Sequence, residues 1–278
     1  MPTADCDGTR LYYEEAGAGD PPFVFVHGWS CDHTYFAPQA GHFASGHRVI
    51  SVDLRGHGQS DKPQGDKPNA DCYTIANLAD DVAWVCRELR LEHPVVVGHS
   101  MGGAVTLELA ARHPDLPAAI VLVDAAPVVA TPEVTAALAD LVDAIGTPDH
   151  ISARRQFIDG FLFIDTDDPV RRAEIVDAMA AAPQHVAVAC MKAIGDWDGE
   201  RAARGCKVPA LHIGAKNPSN DPAVLRSLNP LIQTAQVAGA GHFAQLEVPD
   251  QVNAMIERFV KTSLTTSPLR QPGPTPRP

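Results

Sequence analysis

The chain lacks long hydrophobic runs, paired-cysteine spacing and any excess of positive charge. No apolar stretch reaches the roughly 18 residues that a membrane-crossing helix needs, so a transmembrane span is not expected. The first residues, Met1 to Gly8, are polar, with neither a basic start nor an apolar core. No secretory leader is therefore expected, and the default location is the cytoplasm. None of the six cysteines (Cys6, Cys31, Cys72, Cys86, Cys190 and Cys206) stands at C-x-x-C spacing, which speaks against a zinc site or a thioredoxin-like pair. A chain of 278 residues has core enough to fold without disulfides. The cysteines thus read as reduced, mostly buried thiols. Lys and Arg number 22 against 34 Asp and Glu, for a net charge of −12. Such a surface repels nucleic acid and anionic lipid, so neither is an expected partner. No G-x-G-x-x-G pattern is present, which speaks against a phosphate-binding loop.

What the sequence does contain is short apolar runs alternating with helical patterns. Phe23 to Val26, Arg48 to Val52, Val95 to Val97, Ala119 to Val123 and Leu211 to Ile213 read as strands buried on both faces. Thr234 to Val237 is a weaker strand, and Arg10 to Glu14 reads as an antiparallel one at the start. Asn77 to Arg90, Met101 to His113 and Val252 to Lys261 read as helices. Strand alternating with helix indicates a parallel α/β sheet. The alternation breaks between Pro127 and Asp198, where only helical patterns occur: Pro132 to Ile145, Ile151 to Phe163, Pro169 to Ala181 and Val186 to Ile194. At about 70 residues this block is too long for one crossover. The expected organisation is a core at 1–127 and 198–264, a helical cap at 128–197, and a disordered tail rich in Pro, Thr and Ser at 265–278.

Chemistry centres on Val95-Val96-Val97-Gly98-His99-Ser100-Met101-Gly102-Gly103, a G-x-S-x-G between a strand and a helix. A nucleophile at the tip of a sharp strand-to-helix turn takes strained backbone angles, and small neighbours let turn and helix pass closely. The turn leaves the Ser100 hydroxyl exposed and puts the Met101 N–H at a helix N-terminus, where developing negative charge is stabilised. Taken alone, the pattern is also what a glycine-rich turn looks like; the apolar strand before it and the amphipathic helix after it favour the nucleophile. Near the end of an early strand, His27-Gly28-Trp29 can present the Trp29 N–H as a second oxyanion donor, with His27 fixing the loop by a hydrogen bond. Asp53 to Ser60 reads as a structural turn whose charged groups bond one another and the backbone. Gly239-Ala240-Gly241-His242-Phe243 follows the last strand, and a histidine in a small-residue loop there is free to approach a nucleophile. Cys31 has a poorer context for nucleophilic work than Ser100.

These four stretches, in this order, resemble the α/β-hydrolase superfamily from about Thr9 to Thr262, cap included. The resemblance implies an α/β-hydrolase fold: an eight-stranded, mostly parallel sheet with an inserted helical cap, the nucleophile after the fifth strand, and the chain order Ser, acid, His. Its serine members need no cofactor and no metal. The departure is at the acid. Where most members carry Asp after the strand that precedes the histidine strand, this chain reads Ile213-Gly214-Ala215-Lys216-Asn217-Pro218, which places Asn217 at the matching position. An amide orients an imidazole but does not compensate its positive charge. Two carboxylates can substitute. Asp124 ends the strand expected beside that of Ser100, and neighbouring strands lie only about 4.8 Å apart; some relatives place their acid there. Asp221 lies in the loop where the family usually keeps it.

The expected chemistry is hydrolysis of a carboxylic ester or lactone of a small molecule. Ser100 is the nucleophile, His242 the base, Asp124 (alternatively Asp221) the acid, and the N–H groups of Trp29 and Met101 form the oxyanion hole. Two rivals stand beside it: a cofactor-free oxygenase or lyase that uses His242 and Asp124 as a base, and a non-catalytic ligand-binding receptor. Phe157, Phe161, Phe163, Met179, Met191 and Trp197 of the cap are candidates to line the pocket. Oligomeric state is not encoded in any pattern found.

Overall fold

The structure is a computed structural model, which describes residues 3–6, 8–64 and 72–265. The expected tail lies outside the described residues, apart from Thr265. Among the described residues, eight strands form a single sheet: β1 (Thr3–Cys6), β2 (Thr9–Ala16), β3 (Phe23–Val26), β4 (Val49–Val52), β5 (Val95–His99), β6 (Ala119–Val123), β7 (Ala210–Gly214) and β8 (Ile232–Gln236). Their spatial order is β1-β2-β4-β3-β5-β6-β7-β8. The hairpin β1–β2 and the pair β2–β4 are antiparallel, and every other neighbouring pair is parallel. The central strands β3, β5, β6 and β7 are buried at every residue, which is why they read as unbroken apolar runs rather than alternating ones.

Alternate strand residues feed two separate cores. On one face Phe23, Phe25, Val95, Val97, Val121 and Ile213 pack against α1 (Ala37–Phe43) and α11 (Pro249–Thr265), with the Phe23 and Phe43 rings stacked at 4.4 Å. On the other face Val24, Val26, Val96, Ile120 and Leu122 meet α2 (Ile75–Glu88) and α3 (Met101–Arg112). The charged groups of the turn at 53–60 bond the turn's own backbone and neighbouring elements. Asp53 accepts from His33 N at 2.7 Å, His33 Nδ1 at 2.8 Å and Gln59 N at 2.7 Å, and Arg55 pairs with Asp81 at 2.6 Å. None of the six cysteines is in a disulfide; five are buried and Cys72 partly so. No helix among the described residues is long and apolar enough to cross a membrane.

Between β6 and β7 the chain runs through α4 (Pro132–Gly146), α5 (His150–Phe161), α6 (Pro169–Ala180), α7 (Gln184–Asp196) and α8 (Gly199–Gly205). The first four pack largely on one another, α4 on α7 and α5, and α5 on α6. By contrast α8, which the sequence pattern did not suggest, packs on α3 beneath the sheet. We refer to α4–α7 as the cap helices; their buried side chains are continuous with the core that α2 and α3 form on the sheet. The remaining short helices are α9 (Pro222–Leu228) and α10 (Ala244–Glu247).

The strand-to-helix turn between β5 and α3 fits only because its glycines carry no side chain. A Cβ on Gly98 would lie 2.1 Å from the Gly102 carbonyl oxygen, and one on Gly102 would lie 2.2 Å from the Val26 oxygen of β3. Both obstacles are backbone, which cannot rotate away. Gly98→Ala is therefore expected to destabilise the fold by about 1–3 kcal/mol, the usual cost of overpacking. Urea titration would read this as a lower midpoint at unchanged slope.

Candidate active site

Ser100 sits at the tip of this turn with φ 54° and ψ −119°, a conformation that L side chains rarely adopt. Its backbone is held on both sides. Ser100 N donates to Val123 O at 3.1 Å, while Ser100 O accepts from Gly103 N at 2.9 Å and Ala126 N at 3.0 Å. The hydroxyl opens into a cavity that His242 also lines.

His242 lies in the loop between β8 and α10. Its Nδ1 is 2.6 Å from Asp124 Oδ2. Asp124 follows β6 directly, is buried, and has φ 38°. Its second oxygen accepts from Ala215 N at 3.1 Å, and its own N–H donates to Ile213 O at 2.8 Å. The ring is also positioned from behind: His99 Nε2 lies 2.9 Å from His242 O. Burial holds the His99 imidazole well below its ordinary pKa, so it is neutral and can donate there. Asp221 does not reach the histidine. It is exposed and caps α9, accepting from Ala223 N at 2.6 Å. Asn217 is exposed as well.

The loop after β3 packs directly on the Ser100 turn, since a Cβ on Gly28 would stand 3.1 Å from Ser100 Cβ. His27 fixes this loop. Its Nε2 accepts from Leu54 N at 3.0 Å, which leaves the proton on Nδ1 to donate to Gly28 O at 2.8 Å. The backbone N–H groups of Trp29 and Met101 are buried and meet no hydrogen-bond partner among the described residues. Both residues flank Ser100, one across the loop contact and one next in sequence. The Trp29 indole points the other way and donates to Ala187 O of α7 at 2.9 Å. Burial, with Asp32 nearby, pushes the Cys31 thiol well above its ordinary pKa, so it stays protonated. Among the described residues no group of three or more His, Cys, Asp or Glu is placed to hold a metal ion.

The cavity has a volume of about 110 Å³. Of the cap residues expected there, Phe157, Met179 and Met191 line it. Phe161 does not: it closes α5 and is 79 % exposed. Phe163 turns instead onto Phe243, with ring centroids 5.3 Å apart, and the Trp197 indole donates to Glu108 at 3.0 Å. Phe161 is the last residue of α5, and Phe163 and Trp197 lie just past the ends of α5 and α7, where helical periodicity no longer tells which way a side chain points.

One group escaped the sequence reading. The segment after α5 straps the histidine loop to the cap. Asp167, itself buried, accepts from Gly241 N and from Ile164 N, both at 2.8 Å. Leu162 O accepts from His242 N at 3.0 Å, Thr166 Oγ1 donates to Gly239 O at 3.1 Å, and Arg171 pairs with Glu247 at 3.1 Å. The run Asp165-Thr166-Asp167-Asp168 looks like a solvated loop in sequence, and only the fold brings it to Gly241.

Comparison with known proteins agrees with this architecture. The family model described as alpha/beta hydrolase fold matches residues 21–161. The AB hydrolase superfamily protein YisY of Bacillus subtilis is 28% identical over 274 residues, covering 90% of this chain and 94% of that protein. The 3-oxoadipate enol-lactonase 1 of Acinetobacter baylyi is 28% identical over 248 residues, covering 87% of this chain and 89% of that protein. Among solved structures, the enol-lactonase from Burkholderia xenovorans LB400 superposes with a TM-score of 0.81 at 28% identity, covering 94% of this chain and all of that one.

The strap predicts a measurable dependence. Asp167→Ala leaves the amides of Ile164 and Gly241 without an acceptor, at a cost of about 1–3 kcal/mol per buried group. It should also let His242 drift, which lowers turnover of an aryl ester by roughly 10- to 100-fold. Asp167→Asn keeps one acceptor oxygen and should fall between. Denaturation and steady-state kinetics on both variants check this.

Proposed function

This chain belongs to the α/β-hydrolase fold family, and on that premise we propose that it is a serine hydrolase cleaving a carboxylic ester or lactone of a small molecule through an acyl-enzyme. The observation that carries the reading is the backbone of Ser100: a positive φ at a strand-to-helix junction, on the wall of a cavity shared with an aspartate-paired histidine. A serine that merely bound substrate would need no such strain, which costs of order 1–3 kcal/mol.

The mechanism follows from the atoms. Asp124 holds the proton on His242 Nδ1, which leaves Nε2 as the base. Nε2 takes the Ser100 proton as Oγ attacks the carbonyl carbon. The oxyanion that forms is met by the N–H groups of Trp29 and Met101, which are already buried and unpaired and so need no reorganisation. Collapse expels the alcohol, protonated by His242. Water, deprotonated by the same Nε2, then releases the acid and regenerates Ser100. Throughout, the charge gained by the imidazole is compensated by Asp124 at 2.6 Å. The enol-lactonase names borne by relatives support including lactones, in which the expelled alcohol stays tethered to the acyl group.

The His242–Asp124 pair would serve equally as the base of a cofactor-free lyase or oxygenase, with Ser100 only binding substrate. Covalent chemistry separates the two. A serine-directed fluorophosphonate should label Ser100, and Ser100→Ala should lose about 10⁴- to 10⁶-fold in ester turnover with the fold retained. A variant that keeps more than about a tenth of wild-type turnover would show that Ser100 is not the nucleophile.

The acid is tested by a pair of variants. Asp124→Asn keeps a hydrogen-bonding shape but removes the charge, and in the general Ser–His–Asp template this change lowers kcat by about 10⁴-fold. Asp221→Asn should leave kcat near wild type, because an amide oxygen still caps α9. Steady-state kinetics with circular dichroism on both reads the difference; a large loss at Asp221 and a small one at Asp124 would reverse the assignment.

A further inference from the structure

We infer that the site is selective for short, uncharged acyl groups and rejects acyl groups that carry a carboxylate; this rests on the ester-hydrolase reading above. The inference comes from the charge and size of the cavity wall. Leu138, Phe157, Met179, Met191 and Ile194 form its cap side. The described residues lining it include no Lys, Arg, Asp or Glu. The polar groups that do face it are neutral or reactive: Ser100, Ser219, the protonated Cys31 thiol, the neutral His99 ring, and His242.

The Lys and Arg side chains of the helices between β6 and β7 are engaged elsewhere. The cap holds five basic residues, Arg154, Arg155, Arg171, Arg172 and Lys192. Four are engaged in ion pairs: Arg155 with Asp177, Arg171 with Glu247, Arg172 with Asp159, and Lys192 with Asp196. The fifth, Arg154, is buried and spends its guanidinium on Ala182 O at 2.6 Å and His150 Nδ1 at 2.6 Å. Behind His242 stands a negative charge instead, the Asp124 carboxylate at 2.6 Å. A substrate carboxylate entering this wall would lose its water, gain no counter-ion, and face a like charge. Size sets the second limit. The cavity, of about 110 Å³, is walled by Leu138, Phe157, Met179 and Met191, so an acyl chain that outgrows it meets the side chains of α4, α5, α6 and α7.

Two esters of equal length and shape isolate the charge: ethyl 4-oxopentanoate, which is neutral, and monoethyl succinate, which is an anion at neutral pH. Alkyl leaving groups avoid self-catalysed hydrolysis, and a pH-stat follows both. The wild-type protein should favour the neutral ester by at least about 100-fold in kcat/KM. Leu138 is only half-buried on α4 at the cavity wall, so Leu138→Lys should fold and place an ammonium within reach of the acyl group. That variant should shrink the preference by at least tenfold. Along a series of ethyl esters, rates should fall as the acyl chain lengthens, and Met191→Ala should move that fall to longer chains. Equal kcat/KM for the two esters, within about threefold, would overturn the inference. Labelling of Ser100 by a fluorophosphonate with neither ester turned over would overturn it while sparing the nucleophile assignment. Absence of both labelling and turnover would overturn the hydrolase reading and the inference together.

Discussion

Ser100 and Asp124 occupy equivalent places at the ends of two neighbouring parallel strands. His99 of β5 pairs in register with Val123 of β6, so the residue after each leaves the sheet at the same height. Both turn with positive φ, 54° and 38°. For non-glycine residues such angles cost of order 1–3 kcal/mol each and persist only where neighbours over-determine them. Here the neighbours are one another's strands: Ser100 N bonds Val123 O, Ala126 N bonds Ser100 O, and Asp124 N bonds Ile213 O of β7. Two strained turns are thus locked by the ladder that joins them. The distance between serine and carboxylate is set by sheet spacing rather than by loop conformation, and rigid elements hold a site more closely than loops do.

The histidine is the one member of the group that does not stand at a strand end, and the structure holds it from three sides. Asp124 bonds its ring, His99 bonds its carbonyl, and the Leu162 carbonyl of the cap accepts its amide N–H. Asp167 then holds the preceding residue, Gly241, whose Cβ, if it had one, would lie 2.4 Å from Asp167 Oδ2. The cap therefore does two things with one stretch of chain: Phe157 and Leu162 shape the cavity, and the residues just after them hold the base. The loop at 28–29 makes a similar link on the other side, with Gly28 against Ser100 and the Trp29 indole bonded to α7. A displacement of the cap would disturb the histidine loop and the Trp29 loop together.

Which of these features can be read from sequence follows from the range of the physics that makes them. The fully buried strands β3, β5 and β6 declare themselves because burial on both faces demands an apolar residue at every position. The turn at Ser100 is legible because its constraint is local: Gly98 and Gly102 are required by backbone atoms a few residues away or on the next strand. β1 is not legible, because Thr-Ala-Asp-Cys alternates exposed and buried over only four residues. α8 stayed hidden because Gly199-Glu200-Arg201-Ala202 carries too few apolar residues to show a face. Phe161 and Phe163 show the commonest failure: two residues apart at the end of a helix, one is solvent-exposed and the other packs under Arg172. Asp167 could not be found at all without the fold, since its partner Gly241 is 74 residues away.

The position of the acid has a consequence for the loop after β7. With the carboxylate supplied from β6, residues 215–221 need not deliver a charge to His242, and Asn217 is left in solvent. The loop braces the cap instead. Buried Asn220 accepts from Val128 N at 2.7 Å and donates to Ala125 O at 2.8 Å, fixing the chain as it leaves Asp124 for the cap. The Ala215 amide supplies the hydrogen bond on Asp124 Oδ1 that leaves Oδ2 for His242. Ser219, between them, contributes its side chain to the cavity wall. A segment of seven residues thus orients the acid, fixes Val128 where the chain leaves Asp124, and completes the pocket. What meets a substrate in the cavity is therefore an apolar wall and the His242 ring backed by Asp124, while Asn217 stays outside in solvent.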